Sequence, residues 1–367
     1  MAVYAGLMSG TSLDGVDGVL TDFSSGGPLA HVHQAYEPAL RDELLALNSP
    51  GGTDELARAA LAANGVARVY ASVLRALCAQ AGLTPEAVRA VGAHGQTVRH
   101  RPGAVDGTGY TVQLLNAALL AELGGVDVVC DLRSRDLAAG GQGAPLVPAF
   151  HAAVFARPGT AVAVLNLGGI ANLSLIGADG WVRGFDCGPG NALLDHWIQR
   201  HLGVAFDDGG RWAASGQVNG PLLAALRADA FFAAAPPKST GRDLFEPGWL
   251  QTHLGTVPAL HPADVQATLL ELTAGTAVDA LRLHAADTRV LRVCGGGARN
   301  GQLMRRLKAL LAGVDVQDTA VDGVAPDHVE ALAFAWLARA FIARDAGNLP
   351  AVTGAAGPRV LGALYPA

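Results

Sequence analysis

The sequence predicts an α/β protein of two domains, and three observations support that class. Its 367 residues exceed what one hydrophobic core usually supports. Half of the residues are hydrophobic and 16% are charged, a balance typical of a folded globular protein rather than a disordered one. Short apolar runs that end in Gly-rich turns recur along the chain between runs of helical spacing. That alternation favours sheets covered by helices.

Charge and cysteine content narrow the classes of function. The net charge is −6 and the basic residues are spread out, so the sequence excludes a basic patch for nucleic acid and favours a small-molecule partner. We expect no secretory signal, because no basic residue precedes the N-terminal apolar segment. We expect no transmembrane helix either, because the uncharged stretch 158–178 contains asparagines and glycines. The four cysteines form no metal or disulfide pattern, which favours reduced thiols in the cytoplasm. Cys187 is predicted to fill core space rather than act as a nucleophile.

The first Gly-rich turn joins two strand-like runs within residues 3–23. The turn, Ser9–Gly15, combines backbone N–H groups with small hydroxyl side chains, a composition that suits a polyphosphate. A Walker loop is excluded because its Gly-Lys-Ser/Thr sequence and following helix are missing.

A long helix and a polar turn come next. Thr53 is predicted to cap a helix over 54–81 that ends at Gly82. The run 90–100 predicts a strand that ends in a polar turn, where His94 is either a structural histidine or a substrate contact.

A charged cluster then marks a change in composition. A helix over 116–123 and a strand over 126–130 precede the cluster, and Gly- and Pro-rich sequence follows it at once. We expect the chain to cross between domains here. The cluster is either a surface ion-pair group or a site for an anionic substrate, and its members are Asp131, Arg133, Arg135 and Asp136.

The centre of the chain carries a second Gly-rich hairpin and a candidate catalytic acid. Residues 161–177 predict two strands joined at Gly168 and Gly169, a turn that lets backbone approach a ligand closely. Asp186 then precedes a Gly-Pro-Gly turn, after which Asn191 is predicted to cap a helix. An acid on such a turn is often catalytic, although Asp before Gly is also a common turn former.

A third glycine cluster follows a strand within 290–300. Gly295, Gly296 and Gly297 end that strand, and Asn300 opens a helix over 301–311. The G-x-G-x-x-G spacing and the later acid of a dinucleotide fingerprint are missing, so an adenosine-binding turn is favoured over a Rossmann site.

Two further helices and a strand complete the prediction. Helical spacing covers 264–283 and 329–342, and a short strand is expected within 353–366. Glu330 begins the second helix and is either a first-turn acid favoured by the helix dipole or an active-site carboxylate.

Seven motifs, in order and from end to end of the chain, resemble those of the anhydro-N-acetylmuramic acid kinase family. They are MSGTSLDGVD at 8–17, HGQTVRH at 94–100, GGQGAPLVPAFH at 140–151, NLGGIANL at 166–173, GFDCGPGN at 184–191, PPKSTGR at 236–242 and CGGGARN at 294–300. The resemblance implies the actin-like ATPase fold that hexokinase and actin share, with a ribonuclease H-like sheet in each of two α/β domains. We expect residues 1–135 with 350–367 to form the first domain and 136–349 the second.

The resemblance also implies a reaction. ATP would phosphorylate O6 of 1,6-anhydro-N-acetylmuramic acid while water opens the anhydro bridge at C1, giving N-acetylmuramic acid 6-phosphate in cell-wall recycling. Asp186 would be the catalytic base. The residues implied to bind ATP are Gly10, Thr11, Ser12, Leu13, Asp14, Gly15, Val16, Asp17, Gly168, Gly169, Gly295, Gly296, Gly297 and Asn300. The residues expected near the sugar are His94, Gln96, Asp131, Arg133 and Glu330.

The chain differs from many proteins of the wider fold in the residues expected to hold the metal ion. Many actin-like kinases start each phosphate hairpin with an Asp that holds hydrated Mg²⁺, whereas Ser9 and Asn166 occupy those places here. We therefore expect Mg²⁺ to arrive as MgATP, with Asp14 or Asp17 as outer contacts and the direct ligands left open. The resemblance further implies a homodimer.

Two alternative functions stay open. A general sugar kinase of the same fold would share every nucleotide turn but would use an ordinary hydroxyl acceptor. An ATP-binding switch without catalysis would also share the fold, yet it would not need Asp186 beside a sugar pocket.

Overall fold

A computed structural model of the chain describes residues 2–10, 12–24, 27–236, 238–240 and 244–367. The chain divides into two compact units: unit 1 comprises Met1–Phe150 with His328–Ala367, and unit 2 comprises His151–Asp327. Two segments expected in the second domain, 136–150 and 328–349, therefore belong to unit 1.

The strands occur in two groups along the chain. They are β1 (Val3–Met8), β2 (Gly15–Asp22), β3 (Gly27–Ala35), β4 (Val88–Ala93), β5 (Gln96–Pro102), β6 (Gly109–Leu114), β7 (Val128–Cys130), β8 (Val162–Leu167), β9 (Ile170–Ile176), β10 (Val182–Pro189), β11 (Val290–Cys294), β12 (Asp315–Asp318) and β13 (Ala363–Tyr365).

The helices lie between these strands in the sequence. They are α1 (Pro38–Leu47), α2 (Glu55–Ala81), α3 (Ala117–Gly124), α4 (Ser134–Ala138), α5 (Val147–Phe155), α6 (Ala192–Leu202), α7 (Arg211–Ser215), α8 (Gly220–Arg227), α9 (Ala230–Ala233), α10 (Pro247–Leu254), α11 (Pro262–His284), α12 (Gly301–Leu310), α13 (Val329–Ala343) and α14 (Pro350–Thr353). Among the described residues, none of the helices combines the length and apolar character needed to cross a membrane.

The main sheet of unit 1 has the strand order β13-β7-β4-β1-β2-β3. Strands β1, β2 and β3 pair antiparallel, as the predicted hairpin over 3–23 required for the first two. Strands β1, β4 and β7 run parallel to one another. The carboxyl ends of these three strands therefore meet at one edge of the sheet, where open α/β sheets usually bind ligands.

The sheet of unit 2 has the order β10-β9-β8-β11-β12 and repeats that arrangement. Strands β8, β9 and β10 form an antiparallel meander, and β8, β11 and β12 run parallel. The shared order confirms the predicted class of two α/β domains with a ribonuclease H-like sheet in each. In unit 1, β13 adds a sixth strand to this core.

Helix α13 explains why residues after 328 belong to unit 1. It packs directly on β1 and β4. A Cβ on Gly6 would overlap the backbone oxygen of Ala331, and one on Gly92 would overlap that of Phe334. Glycine at these two positions lets the helix backbone lie against the sheet.

The predicted N-terminal cap of α2 is wrong, for a local reason. Residue Asp54, not Thr53, precedes α2, with a left-handed φ of 48° and no side-chain cap. Glu55 Oε1 instead accepts the Gly52 N–H at 2.7 Å. The predicted end of α2 at Gly82 is confirmed, with φ at 65°.

Candidate active site

The ligand residues expected in unit 1 follow the parallel strands at their carboxyl ends. Ser9 and Gly10 follow β1, His94 follows β4, and Asp131 follows β7. The strand order places these three turns next to one another. The sheet therefore brings together residues that lie far apart in the sequence.

His94 orients Arg133 within this edge. The His94 ring is buried, its Nδ1–H donates to Ser9 O at 3.0 Å, and Arg133 Nη2 donates to its Nε2 at 2.9 Å. Burial and the Arg133 charge lower the pKa of His94 to about 3, so the ring is neutral and accepts at Nε2. The histidine thus acts first as a support for the arginine.

Arg133 is held by neutral acceptors and lies near two carboxylates. A second nitrogen, Nη1, donates to Gly143 O at 2.8 Å. Burial lowers the pKa of Arg133 to about 10, against the opposing charges of Glu330 and Asp136. The group stays cationic at neutral pH, as a site for an anionic sugar needs. Glu330, at the start of α13, lies within electrostatic range of Arg133.

Asp136 has a structural role in this cluster. It is fully buried and accepts hydrogen bonds from Gly143 N at 2.7 Å, Asn348 Nδ2 at 2.6 Å and Thr353 Oγ1 at 2.8 Å. Its carboxylate ties the segment after β7 to the C-terminal segment of the chain. The charged cluster predicted at 131–136 is therefore divided between a structural acid and exposed or partly buried ligand candidates.

Backbone strain marks two of the predicted ligand segments. Leu13 in the first turn has φ 57°, and Asp131 after β7 has φ 52°, both left-handed values that cost free energy for residues other than glycine. Asp131 is exposed and accepts from Ser134 Oγ at 2.5 Å. Such strain is common at ligand sites.

The first Gly-rich turn is shorter than its motif. Gln96 Nε2 donates to Gly10 O at 3.1 Å and Ser12 Oγ donates to Asp14 Oδ1 at 2.6 Å, while Thr11 lies outside the described residues. The next residues of the motif, Gly15, Val16 and Asp17, already belong to β2. The side chain of Val16 is fully buried. The described residues between β1 and β2 are therefore Ser9, Gly10, Ser12, Leu13 and Asp14.

Asp17 faces two histidines of β3. His33 Nδ1 lies 3.0 Å and His31 Nε2 3.5 Å from Asp17 Oδ1. Burial would raise the pKa of Asp17, but the hydrogen bonds and charges of these histidines outweigh it and lower the pKa. The two histidines lie on β3, a strand that the sequence did not predict because it alternates with polar residues and stays half-exposed.

In unit 2 the second set of candidate residues also lies at the carboxyl ends of the strands. Gly168 and Gly169 follow β8, Gly295 follows the adjacent parallel strand β11, and Asp186 lies near the end of β10. The predicted hairpin over 161–177 is confirmed as β8 and β9.

Asn191 is hydrogen-bonded to the Gly168–Gly169 turn. The prediction that its side chain caps α6 is wrong. The side chain instead donates from Nδ2 to Leu167 O at 2.8 Å. The amides of Asn191 and Ala192 donate to the carbonyls of Gly168 and Gly169, at 2.8 and 3.2 Å. The turn after β8 is thereby fixed to the start of α6.

The glycines of these turns fall into two kinds. A Cβ on Gly297 would come within 2.5 Å of Leu167 Cβ, and Gly295 has a φ of 77°, so packing and conformation require glycine there. Gly168, Gly169 and Gly296 have no positive φ, and a Cβ on them would meet nothing closer than 3.7 Å. Their open faces suit the close approach of a ligand.

Asn300 has a helix-capping role. Its Oδ1 accepts the Leu303 N–H at 3.0 Å and so satisfies the first turn of α12. The predicted helix after the third glycine cluster is confirmed.

Asp186 stands at a break in strand pairing. It pairs with Asn172 of β9, and the register then shifts so that Gly188 faces Ala171. The extra residue, Cys187, is buried and its thiol donates to Ala171 O at 3.3 Å, as expected of a core filler. Bulges of this kind re-aim side chains beside active sites.

The Asp186 carboxylate is partly buried and held by a neighbouring loop. The Thr240 N–H donates to its Oδ2 at 2.8 Å, and its own N–H donates to Lys238 O at 3.0 Å. Within the described ranges, Oδ1 accepts no hydrogen bond. Burial raises the pKa of Asp186 to about 6, opposed by the Thr240 N–H and the Lys238 charge. The group is mostly ionised at pH 7 and can accept a proton.

Asp14 and Asp17, the candidate outer metal contacts, both have protein partners. The described residues contain no group of three or more His, Cys, Asp or Glu side chains arranged to hold a metal ion.

The comparisons with known proteins agree with the motifs. A family model described as anhydro-N-acetylmuramic acid kinase matches residues 2–367. The proteins of that name from Variovorax paradoxus and Cupriavidus pinatubonensis are 61% and 59% identical, over 100% and 99% of this chain and 99% and 98% of their own. Component A of the (R)-2-hydroxyglutaryl-CoA dehydratase of Acidaminococcus fermentans is a structural neighbour with a TM-score of 0.50 and 14% identity, covering 91% of this chain and 96% of that one, a likeness of fold alone. The chain belongs to the anhydro-N-acetylmuramic acid kinase family.

Proposed function

We propose that this chain transfers the γ-phosphoryl group of ATP to O6 of 1,6-anhydro-N-acetylmuramic acid while water opens the anhydro bridge, in the recycling of cell-wall sugar. Family membership supports the kinase activity and the substrate. The observation that carries the mechanism is Asp186, a partly buried carboxylate with one oxygen fixed by Thr240 N–H and a pKa raised by burial to about 6.

The proposed bond changes balance around one base. Water attacks C1 and gives a proton to Asp186 Oδ1 as the C1–O6 bond breaks. The electron pair of that bond stays on O6, which attacks the γ-phosphorus, and the bond from phosphorus to ADP breaks. The products are N-acetylmuramic acid 6-phosphate and ADP, and Asp186 releases its proton to solvent.

Arg133 is the proposed partner of the acidic sugar. A muramic acid carries a lactyl carboxylate, and Arg133 is a cation held in one orientation by His94 and Gly143. A fixed guanidinium recognises a carboxylate through charge-assisted hydrogen bonds. Gln96, Asp131 and Glu330 are proposed to contact the sugar hydroxyl or amide groups.

The Gly-rich turns are the proposed contacts of ATP. Residues 10–14 and Gly168–Gly169 would meet the phosphates through backbone N–H groups, and 295–297 would meet the adenosine. Mg²⁺ would enter with the nucleotide as MgATP, bound by the phosphates and water.

The test is incubation of the protein with ATP and the anhydro sugar, followed by mass spectrometry. We expect a product heavier than the substrate by one phosphoryl group and one water. Plain N-acetylmuramic acid, offered in a parallel reaction, tests the general sugar kinase. Exclusive use of the open sugar would refute the anhydro assignment, and nucleotide binding without either product would favour an ATP-binding switch.

The proposed setting is a cytoplasmic homodimer, on family resemblance. Sedimentation velocity of the purified chain tests the assembly, with a dimer as the expected species and a monomer across micromolar concentrations as the contradicting one.

A further inference from the structure

Lys238 lies in a loop that touches Asp186 through both its backbone and its charge. The Asp186 N–H donates to Lys238 O at 3.0 Å, and two residues later Thr240 N–H donates to Asp186 Oδ2 at 2.8 Å. The segment 238–240 therefore runs beside the acid and fixes one of its two oxygens.

The side chain of Lys238 anchors that segment. Its Nζ donates to the carbonyls of Phe231 and Phe232, at 2.9 and 3.3 Å, and lies 4.7 Å from the centre of the Phe231 ring. These phenylalanines belong to α9 and pack with Phe245 and Trp249 in one aromatic cluster. The loop is thus attached to a packed part of unit 2 rather than to solvent.

We propose that Lys238 is a positioning residue for Asp186: its ammonium group ties the 238–240 segment to α9, which keeps Thr240 N–H on Oδ2 and leaves Oδ1 to receive the proton from water. The inference rests on the proposed role of Asp186 as the base. Two backbone hydrogen bonds join this segment to Asp186, and two hydrogen bonds of the Lys238 ammonium group anchor it to α9.

The charge of Lys238 adds a second effect on the same group. Burial raises the pKa of Asp186, and the Lys238 cation opposes that rise. Among the described residues, the other titratable or charged groups around the pair are Cys187, His284 and Arg183. The Cys187 pKa is raised by burial, and that of His284 is lowered by burial and by the charges of Lys238 and Arg183, so both are neutral at pH 7. The Lys238 charge, which lowers the pKa of Asp186, therefore helps to keep that carboxylate ionised towards lower pH.

The experiment compares pH profiles of kcat/KM for wild type, Lys238→Met, Lys238→Gln and Lys238→Arg. In Lys238→Met the pKa of the acid limb should rise by about 1, because an opposite charge nearby is lost. If the limb moves from about 6 to about 7, activity falls about fivefold at pH 6 and little at pH 8 through ionisation alone. Lys238→Arg should restore the acid limb, and Lys308→Met, at the other lysine of the chain, should match wild type at every pH.

The outcomes separate three explanations. A loss that is equal at all pH values, with an unmoved acid limb, would reduce Lys238 to a structural residue and overturn the inference. If Lys238→Met fails to fold, Lys238→Gln replaces it, because glutamine keeps a hydrogen-bond donor without the charge. Its acid limb should be displaced in the same way, and an unmoved acid limb in Lys238→Gln would also overturn the inference. A separate measurement tests the proposed function. If Asp186→Asn turned over at the wild-type rate, Asp186 would not be the base.

Discussion

Asp186→Asn should have opposite effects on activity and stability. The substitution keeps the size of the side chain and an oxygen for Thr240 N–H, but it removes the basic carboxylate. Turnover should fall by roughly 10²–10⁴-fold, the usual loss when a general base is removed. Ring opening and phosphorylation should fall together, while nucleotide binding persists.

The gain in stability follows from the pKa. Burial raises the pKa of Asp186 from 3.8 to about 6 in the folded chain, so folding favours the protonated acid. The folded state then loses stability as the pH rises from about 4 to about 6, and the full cost is present above that range. A difference of about two pKa units sets an upper limit of about 3 kcal/mol, which partial exposure reduces to about 1–2 kcal/mol. Asparagine removes this cost.

Thermal unfolding at pH 8 and pH 4 measures the effect. The melting temperature of Asp186→Asn should exceed that of wild type by a few degrees at pH 8, and the difference should shrink at pH 4. Asp179→Asn, an equal change of charge at an exposed turn of unit 2, serves as the matched control and should change neither property. A destabilised Asp186→Asn at pH 8, or one that retains turnover, would refute the reasoning.

Three other predictions concern binding and packing. Arg133→Ala should raise KM for the sugar about tenfold to hundredfold, through loss of a charge-assisted bond, with KM for ATP unchanged, and exposed Arg135→Ala is its control; a rise confined to ATP would move Arg133 out of the sugar site. Gly169→Ala should raise KM for ATP and leave the stability unchanged. Gly190→Ala should strongly destabilise the protein, as measured by calorimetry, because its Cβ would overlap the backbone of the Gly-rich turn. Equal stabilities of the two variants would contradict the close packing. Asp136→Ala should lower the free energy of unfolding in urea by roughly 3 kcal/mol or more because three buried donors lose their acceptor, and a loss below about 1 kcal/mol would deny its structural role.

Local sequence predicted the elements that hold the site. Apolar runs that stop at Gly168 or Gly295 predicted strands with turns at their carboxyl ends, since both signals lie within a few residues of each other. The end of α2 at Gly82 was equally local, because only glycine adopts the left-handed cap at little cost.

Contacts between distant segments were beyond local sequence. Asparagine is a common helix cap, yet the side-chain amide of Asn191 donates to a carbonyl 24 residues earlier. The clamp of Lys238 and Thr240 on Asp186 joins residues more than 50 apart in the chain, with Thr240 and Asp186 separated by 54. The observed boundary between the units differs from the expected one for the same reason, because the apolar stripe of α13 does not reveal which sheet the helix covers.

Isotope labelling tests the central claim most directly. The protein is incubated in ¹⁸O-water with ATP and 1,6-anhydro-N-acetylmuramic acid, and the product is fragmented in a mass spectrometer to separate the C1 oxygen from the phosphate oxygens. Unlabelled N-acetylmuramic acid 6-phosphate, held in the same water for the same time, corrects for exchange at C1. The account predicts one ¹⁸O on C1 and none in the phosphate. Label in the phosphate, with an unlabelled C1, would mean that water attacked phosphorus and would contradict the mechanism.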